Sequence, residues 1–193
     1  MSNQNSNQND QRVIAQTKEW VNNVIVAHNY CPFAKREVDK GSVRYQVIHE
    51  TEFNSLLESV VQECIWLDQN ADTETTLIVF PSNLNDFNAF LDCLALSEDL
   101  LVSQGYEGVY QIASFHPEYC FQGADENDAA NYTNRSPYPM FHLIREASVK
   151  IALENHPDPD SIPERNIEYA REQGLDKMKA ELDKCIFFNE IND

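Results

Sequence analysis

Apolar residues recur along this chain with two different periods. Hydrophobic side chains occupy every third or fourth position over 13–28, 53–67 and 87–101, a spacing that predicts three amphipathic helices. Residues 43–47 alternate between apolar and polar, which is typical of a strand with one buried face. Residues 76–80 are continuously apolar, as in a strand covered on both faces. The chain therefore begins as an alternation of helices and strands.

The second half of the chain predicts one more strand and two helical regions. A strand is expected over 109–115, and a helix is expected to begin at Ser136, a cap residue followed by a first-turn proline. The last helical region is expected over 162–187. Strands joined by helical crossovers usually pair in parallel. We therefore expect one α/β domain over 11–187, with a small, mainly parallel sheet of three or slightly more strands and flanking helices.

Composition limits the class of protein. At 193 residues and 42% hydrophobic, the chain is long enough to bury one core. The polar residues 1–10 are expected to form a disordered tail, and 188–193 a C-terminal tail. No apolar run approaches the roughly 20 residues that cross a bilayer, and no signal-peptide core precedes the first helix. The five scattered cysteines lack a CxxC spacing, so a reducing, cytoplasmic location is expected.

The formal net charge of −18 is unevenly distributed. Between Tyr45 and Asn134 there is no lysine or arginine, whereas 16 residues are Asp or Glu. Binding to nucleic acid or to an anionic membrane surface needs a basic face, so neither partner is expected. The acidity itself chiefly favours solubility. Against this background, Arg135 and Arg145 are the candidate ligands for a small anion.

The segment 116–136, called the long loop below, is the main candidate for a functional site. Compact domains rarely contain unstructured connections of this length, and this one has too many aromatic residues for a disordered linker. His116, at the end of the third predicted strand, is a candidate general acid or base. The candidate ligand-binding residues of the loop are Tyr119, Asp128, Asn131, Asn134 and Arg135.

The helix expected after Ser136 would place three functional groups together. On a helix, His142, Arg145 and Glu146 occupy positions i, i+3 and i+4 and share one face. Arg145 would then bind an anion, and His142 with Glu146 would transfer protons. The alternative is a solvated face with one His–Glu contact. His116, His142 and Glu146 are also the ligand types that zinc or iron accepts, which leaves a metal site as a further alternative.

Cys31 is the candidate nucleophile. Lys35 and Arg36 lie close in sequence, and nearby cations lower a thiol pKa, whereas the C-terminus of the preceding helix raises it. Both cations are also candidate ligand-binding residues. A catalytic cysteine needs a base, which His116 or His142 supplies only if the fold brings one of them near. The alternative is that Cys31 is a small buried hydrophobic residue.

Five strings occur in one order along the chain. They are CPFAK at 31–35, TTLIVFP at 75–81, QIASFHPEYCF at 111–121, NYTNRSPYPMFHLIREAS at 131–148 and IPERN at 162–166. With these strings the chain resembles, over about residues 12–178, the bacterial family of uncharacterised proteins known as DUF1415. The resemblance implies no activity, cofactor or catalytic residue, so the function must be inferred from the residues.

The leading expectation is an enzyme that acts on a small anionic or polar metabolite. Cys31, His116, His142 and Glu146 would carry the chemistry, and the cations would bind the substrate. One alternative is a non-catalytic ligand-binding or protein-interaction module that uses the long loop, and the other is the metal-binding protein described above. The enzyme hypothesis gains if the fold brings the cysteine, the histidines and the arginines around one cleft. The sequence predicts neither a cofactor nor an oligomeric state.

Overall fold

The structure is a computed structural model that describes residues 2–188. These residues divide into two compact units built from alternating segments of the chain. Unit 1 comprises 2–35, 116–137 and 158–188, and unit 2 comprises 36–115 and 138–157. Each unit is described by itself, and the single domain predicted over 11–187 stays a prediction. The predicted C-terminal tail lies outside the described residues except for its first residue, Phe188.

The chain contains helices and strands in mixed order. In chain order they are α1 (Ser2–Trp20), a π-helical turn (Val21–Val26), α2 (Ala34–Lys40), β1 (Val43–Val47), α3 (Phe53–Gln69), β2 (Thr75–Val79), α4 (Phe87–Ser103), β3 (Tyr110–Phe115), a 3₁₀ helix (Ala129–Thr133), β4 (Met140–Arg145), α5 (Glu146–Glu154), α6 (Ile162–Gln173) and α7 (Leu175–Ile186). The α/β class is therefore as predicted. No helix among residues 2–188 combines the length and apolar character needed to span a membrane.

Unit 2 contains a four-stranded mixed sheet in the order β1-β2-β4-β3. β1 pairs with β2 in parallel, whereas β4 lies antiparallel between β2 and β3. β1, β2 and β3 therefore run in the same direction, and only β4 opposes them. The helices α3 and α4 cover one face, where Cys64, Cys93, Phe90 and Phe141 are fully buried. Both cysteines are therefore part of the core of unit 2.

β4 occupies a position that was predicted to be helical, and this makes the prediction of a mainly parallel sheet wrong. Met140, Leu143 and Ile144 fit a helical stripe, but a strand with neighbours on both sides shows the same dense run of apolar residues. Pro137 and Pro139 disfavour the helical conformation in the residues that precede them. The chain therefore enters an extended conformation and inserts between β2 and β3.

The helices of unit 1 differ from the predicted helices at two boundaries. α1 begins at Ser2, whereas the apolar stripe predicted a helix from residue 13. Polar residues give no packing signal, so the stripe does not mark the start of the helix, and the disordered tail over 1–10 stays a prediction. The single helical region predicted over 162–187 is divided into α6 and α7 by Gly174, whose φ of 82° is available to glycine without strain.

Candidate functional site

The long loop of unit 1 is organised by hydrogen bonds within itself. The His116 N–H donates to the Asn134 carbonyl at 3.2 Å, so the two ends of the loop are joined. Asn131 is fully buried at its centre, where its side-chain oxygen accepts from the Phe121 N–H at 3.0 Å. The Asn131 amide nitrogen donates to the Asp125 carbonyl at 2.9 Å. The loop is therefore ordered, with its two ends joined and its centre held by its own side chains.

Arg135, predicted to bind an anion, binds main-chain carbonyls. Its Nε donates to the Tyr119 carbonyl at 3.0 Å and its Nη2 to the Glu126 carbonyl at 2.9 Å. The guanidinium also lies 4.8 Å from the centre of the Tyr132 ring. The Arg135 carbonyl in turn accepts from the Trp20 indole N–H at 3.0 Å. These contacts give Arg135 a role in the structure of the loop, and anion binding by it stays a prediction.

His116 and Asp128 also have partners inside unit 1. His116 is fully buried, and its Nδ1 accepts from the Glu118 N–H at 3.0 Å. Asp128 accepts from the Ala130 N–H at 2.9 Å and pairs with Arg171 at 2.6 Å. The hydrogen bond from Arg171 holds the pKa of the Asp128 carboxyl below its usual value. The Arg171–Asp128 pair therefore joins α6 to the long loop.

The remaining candidates of the loop are likewise part of its internal packing. The Asn134 side-chain oxygen accepts from the Thr133 hydroxyl at 2.9 Å. The Tyr119 ring packs edge-on against Phe121 with centroids 5.1 Å apart, and burial raises the pKa of its hydroxyl. Ligand binding by Tyr119 and Asn134 stays a prediction, since their described contacts are structural.

Cys31 lies in the turn that follows the π-helical turn. Its thiol is partly buried, and burial raises its pKa although the N–H groups of Phe33 and Ala34 act in the opposite direction. A raised pKa leaves less thiolate at neutral pH, which is unfavourable for a nucleophile. Of the two cations near it in sequence, Lys35 belongs to unit 1, and Arg36 belongs to unit 2 and pairs there with Glu37 at 2.5 Å.

In unit 2, His142 and Arg145 do not share a helical face, so that part of the prediction is wrong. They lie on β4, three residues apart, and their side chains point to opposite faces of the sheet. His142 Nε2 lies 2.7 Å from the Thr75 hydroxyl, and burial lowers the pKa of the imidazole to about 4. Arg145 donates to the Tyr110 hydroxyl at 3.0 Å and to the Leu67 carbonyl at 2.7 Å. Arg145 thereby ties the end of α3 to the sheet.

The metal hypothesis relied on the helical spacing of His142 and Glu146 and loses that basis. Glu146 is instead the first residue of α5, and its N–H donates to the Val109 carbonyl at 3.0 Å. His116 belongs to the other unit. Across residues 2–188, no group of three or more His, Cys, Asp or Glu side chains is placed to hold a metal ion.

An open groove of about 390 Å³ lies between β1 and α3 in unit 2. Its lining is Gln46, Ile48, Glu50, Ser55, Glu58, Ser59, Gln62 and Glu63. The carboxylate of Glu63 is paired with Arg44 at 2.8 Å. The acidic lining disfavours an anionic ligand, and none of the predicted site residues belongs to it.

A hydrogen-bonded cluster that the sequence did not predict lies in unit 1. The Nε2 of His28 lies 2.6 Å from a carboxylate oxygen of Glu181, and the Nδ1 lies 3.0 Å from the Tyr169 hydroxyl. The Tyr30 ring packs on this pair, with centroids 5.4 Å from His28 and 6.2 Å from Tyr169. We call these four residues the His28 cluster. They come from the turn after the π-helical turn, from α6 and from α7.

The partners of His28 determine where its proton lies. An ionised carboxylate only accepts hydrogen bonds, so the Nε2 facing Glu181 carries the hydrogen. In a neutral imidazole the other nitrogen is then an acceptor, and the Tyr169 hydroxyl donates to Nδ1. The cluster is thus a directed series of hydrogen bonds from a tyrosine hydroxyl through an imidazole to a carboxylate.

The backbone next to His28 has two unusual conformations. In the π-helical turn and just after it, the Tyr30 N–H donates to the Ile25 carbonyl at 3.0 Å, five residues earlier rather than four. Asn29 then adopts a left-handed conformation with φ 54°. Both features are concentrated at functional sites in proteins. They place His28, whose side chain is 10% exposed, against α6 and α7.

The two tyrosines of the cluster differ in environment. Tyr30 is 6% exposed, and burial together with the nearby Tyr169 and Glu181 raises its pKa well above the ordinary value. Its hydroxyl lies 3.7 Å from the sulfur of Met178. Tyr169 is partly exposed, and its hydroxyl bonds to His28. Tyr169 is therefore the more accessible of the two tyrosines.

Sequence patterns had no means of linking these residues. Tyr169 lies 141 residues and Glu181 lies 153 residues from His28. The nearest signal was the string IPERN at 162–166, which opens α6 and immediately precedes the turn that carries Tyr169. Nothing in that string by itself indicates hydrogen bonding to a histidine.

Comparison with known proteins identifies one family. The family described as protein of unknown function (DUF1415) matches residues 12–180. Neither a curated protein nor a solved structure matches the chain. The matched range includes His28, Tyr30, the long loop and Tyr169, and it ends one residue before Glu181. As the resemblance of the five strings predicted, this chain belongs to the DUF1415 family.

Proposed function

We propose that this chain is an enzyme that transfers a proton to or from a small polar metabolite at the His28 cluster. Tyr169 is the residue that meets the substrate. When Tyr169 takes a proton from the substrate, it passes its own phenolic proton to His28 Nδ1; when Tyr169 gives its proton to the substrate, the imidazolium returns one to the phenolate. Glu181 holds the imidazole in the tautomer that this requires. The observation that carries the proposal is the pair of contacts to the two ring nitrogens of His28, at 3.0 Å and 2.6 Å.

The chemistry follows from the hydrogen bonds of the imidazole. A tyrosine hydroxyl with an ordinary pKa near 10 is a weak acid and base at neutral pH. An acceptor on His28 Nδ1 makes the phenolate form accessible, and Glu181 stabilises the imidazolium that results. The same division of work among a hydroxyl, an imidazole and a carboxylate recurs on unrelated folds, where it is recognised by geometry and roles.

The substrate class is better described as polar than as anionic. Arg135 and Arg145, the two cations expected to bind an anion, both donate to main-chain carbonyls. The net charge of −18 also repels anions at long range. A neutral or cationic metabolite with a hydrogen-bond acceptor for Tyr169 is therefore favoured over a phosphate or a polycarboxylate.

The experiment uses proton exchange as the signal, because the reaction is not known in advance. The purified chain is incubated in D2O with pools of neutral, cationic and anionic metabolites. Mass spectrometry then reports any product and any deuterium that enters a compound. Tyr169→Phe removes only the hydroxyl, and Glu181→Gln removes only the charge. Tyr106→Phe is the matched control, since the Tyr106 hydroxyl also bonds a carboxylate, that of Asp68 at 3.1 Å, in the other unit.

The expected result is exchange or turnover that falls at least about 100-fold in Tyr169→Phe, because general acid–base groups typically contribute 10²–10⁴-fold. Glu181→Gln lowers the rate to an intermediate value, and Tyr106→Phe leaves it unchanged. Full activity in a folded Tyr169→Phe variant contradicts the proposal. Circular dichroism of each variant checks that the fold is retained.

The alternative function is a non-catalytic binding or interaction module that uses the long loop. What supports it is the internal order of the loop, in which Asn131 and Arg135 bind main-chain groups and keep the loop in one conformation. A wild-type chain that exchanges no proton with any compound, yet is stabilised by one, favours this alternative. A ligand at about 100 times its Kd stabilises the native state by about 2.7 kcal/mol, which thermal unfolding detects.

A further inference from the structure

We infer that Asn166 is a positioning residue for the His28 cluster, an inference that rests on the proposed function and deepens it. Asn166 lies on α6, three residues before Tyr169, so the two side chains lie on the same side of the helix. The Asn166 amide nitrogen donates to the Tyr30 carbonyl at 2.7 Å. One helix therefore holds the main chain beside His28 and supplies the hydroxyl that bonds to its ring.

The turn at 28–30 depends on contacts of this kind. Asn29 has a positive φ, a conformation that asparagine adopts more readily than most residues and that commonly ends a helix. The carbonyls of Asn29 and Tyr30 follow the last helical turn and have no helical N–H to accept from. Arg165 donates to the first of these carbonyls and Asn166 to the second. Arg165 also donates to the Asn166 side-chain oxygen at 2.6 Å, which orients the amide.

Asn166 acts on one nitrogen of His28 more than on the other. Glu181 lies on α7, so its contact with Nε2 does not depend on α6. The contact between Nδ1 and Tyr169 joins the turn to α6. The Asn166–Tyr30 hydrogen bond fixes the distance between Nδ1 and the Tyr169 hydroxyl. Loss of the Asn166 donor therefore weakens the hydrogen bond from the Tyr169 hydroxyl to Nδ1. Glu181 still keeps the hydrogen on Nε2, so Nδ1 becomes a ring nitrogen without a hydrogen-bond donor.

The test is nitrogen-15 NMR of the histidine side chains, in which the shifts of the two ring nitrogens report which one carries hydrogen and whether the other accepts a hydrogen bond. His28→Gln assigns the His28 signals among the five histidines. Asn166→Asp retains the size of the side chain and the acceptor for Arg165 but removes the donor, and Asn166→Ala removes both. Asn155→Ala is the matched control, because its amide also donates to a carbonyl, that of Ile151 at 2.7 Å, on α5.

The expected wild-type spectrum shows His28 with hydrogen on Nε2. Both Asn166 variants move the Nδ1 shift toward that of a ring nitrogen that accepts no hydrogen bond and leave the hydrogen on Nε2, whereas Asn155→Ala changes neither shift. Asn166→Asp keeps the test decisive if Asn166→Ala fails to fold. An unchanged Nδ1 shift in a folded Asn166→Asp variant, or an equal change in Asn155→Ala, overturns the positioning role alone. A wild-type His28 with hydrogen on Nδ1 instead overturns the proton arrangement on which the proposed function relies.

Discussion

The environment of His142 predicts that unit 2 loses stability as the pH falls below 6.5. Burial lowers the pKa of this imidazole from an ordinary 6.5 to about 4. Between these two values the unfolded chain binds a proton that the folded chain does not bind. The free energy of unfolding therefore decreases with falling pH, beginning at the unfolded pKa, and the decrease is complete once the pH lies below about 4. The direction is set by the lowered pKa, since a raised one would have made the protein more stable in acid.

The magnitude follows from linkage between protonation and folding. With pKa values of 6.5 unfolded and about 4 folded, the lost free energy is about 2 kcal/mol at pH 5 and about 3 kcal/mol at pH 4. One structural reason is the contact with Thr75. Its hydroxyl donates to the Leu143 carbonyl and accepts from His142 Nε2 at 2.7 Å. A second proton on the imidazole gains no partner there.

Many carboxylates also bind protons in this pH range. The prediction therefore concerns the difference in lost free energy of unfolding between the wild type and a variant without His142. Urea unfolding is measured from pH 8 to pH 4 for the wild type and for His142→Gln, whose amide can donate to Thr75. The wild type should lose about 2 kcal/mol more than the variant between pH 8 and pH 5. His49→Gln, which changes an exposed histidine of the same unit, should follow the wild type. Parallel curves for the wild type and His142→Gln would refute the reasoning.

Two further predictions concern the long loop. Asn131→Ala leaves the Phe121 N–H without its acceptor, whereas the Asp125 carbonyl keeps the Asp128 N–H as a donor. An unsatisfied buried group costs about 1–3 kcal/mol, so urea unfolding should show a loss of about 1–3 kcal/mol, and an unchanged free energy of unfolding would contradict this. Arg171→Gln removes the charge that holds the pKa of Asp128 down, so carbon-13 NMR should report a higher pKa for this carboxyl. A lowered carboxyl pKa stabilises the folded state at pH values above the pKa of the unfolded chain, and this stabilisation is lost as the pH falls. Arg171→Gln should therefore lose less free energy of unfolding on acidification than the wild type loses. An unchanged pKa of Asp128 in the variant would count against the pairing.

The sequence predicts most of the fold because buried positions recur along the chain with the period of a helix or a strand. β2 is buried at all five positions, and its continuous apolar run was predicted to be a strand with both faces covered. α3 and α4 were predicted from their apolar stripes, and the stripes pack into the core. β4 was missed because a central strand and a buried helix have the same apolar density, so that spacing alone does not separate them.

Functional side chains have no such period, and two groups of polar residues in unit 1, the long loop and the His28 cluster, show why. A loop without regular secondary structure must satisfy its own N–H and C=O groups with side chains. Asn131 and Arg135 do this in the long loop, where both bind main-chain atoms. A high density of polar residues in such a loop is therefore expected even where it has no catalytic role.

The partners of the hydrogen bonds distinguish the His28 cluster from the long loop. In the His28 cluster, side chains bind one another, and His28 uses both ring nitrogens on Tyr169 and Glu181 rather than on the backbone. Those contacts satisfy no main-chain group, so the stability of the backbone does not account for them. Arg165 and Asn166 instead bind the main-chain carbonyls of the turn and hold it in place. In this cluster, the residues that hold the backbone are not the residues that carry protons. The proton-bearing residues can therefore change protonation while the others keep the geometry.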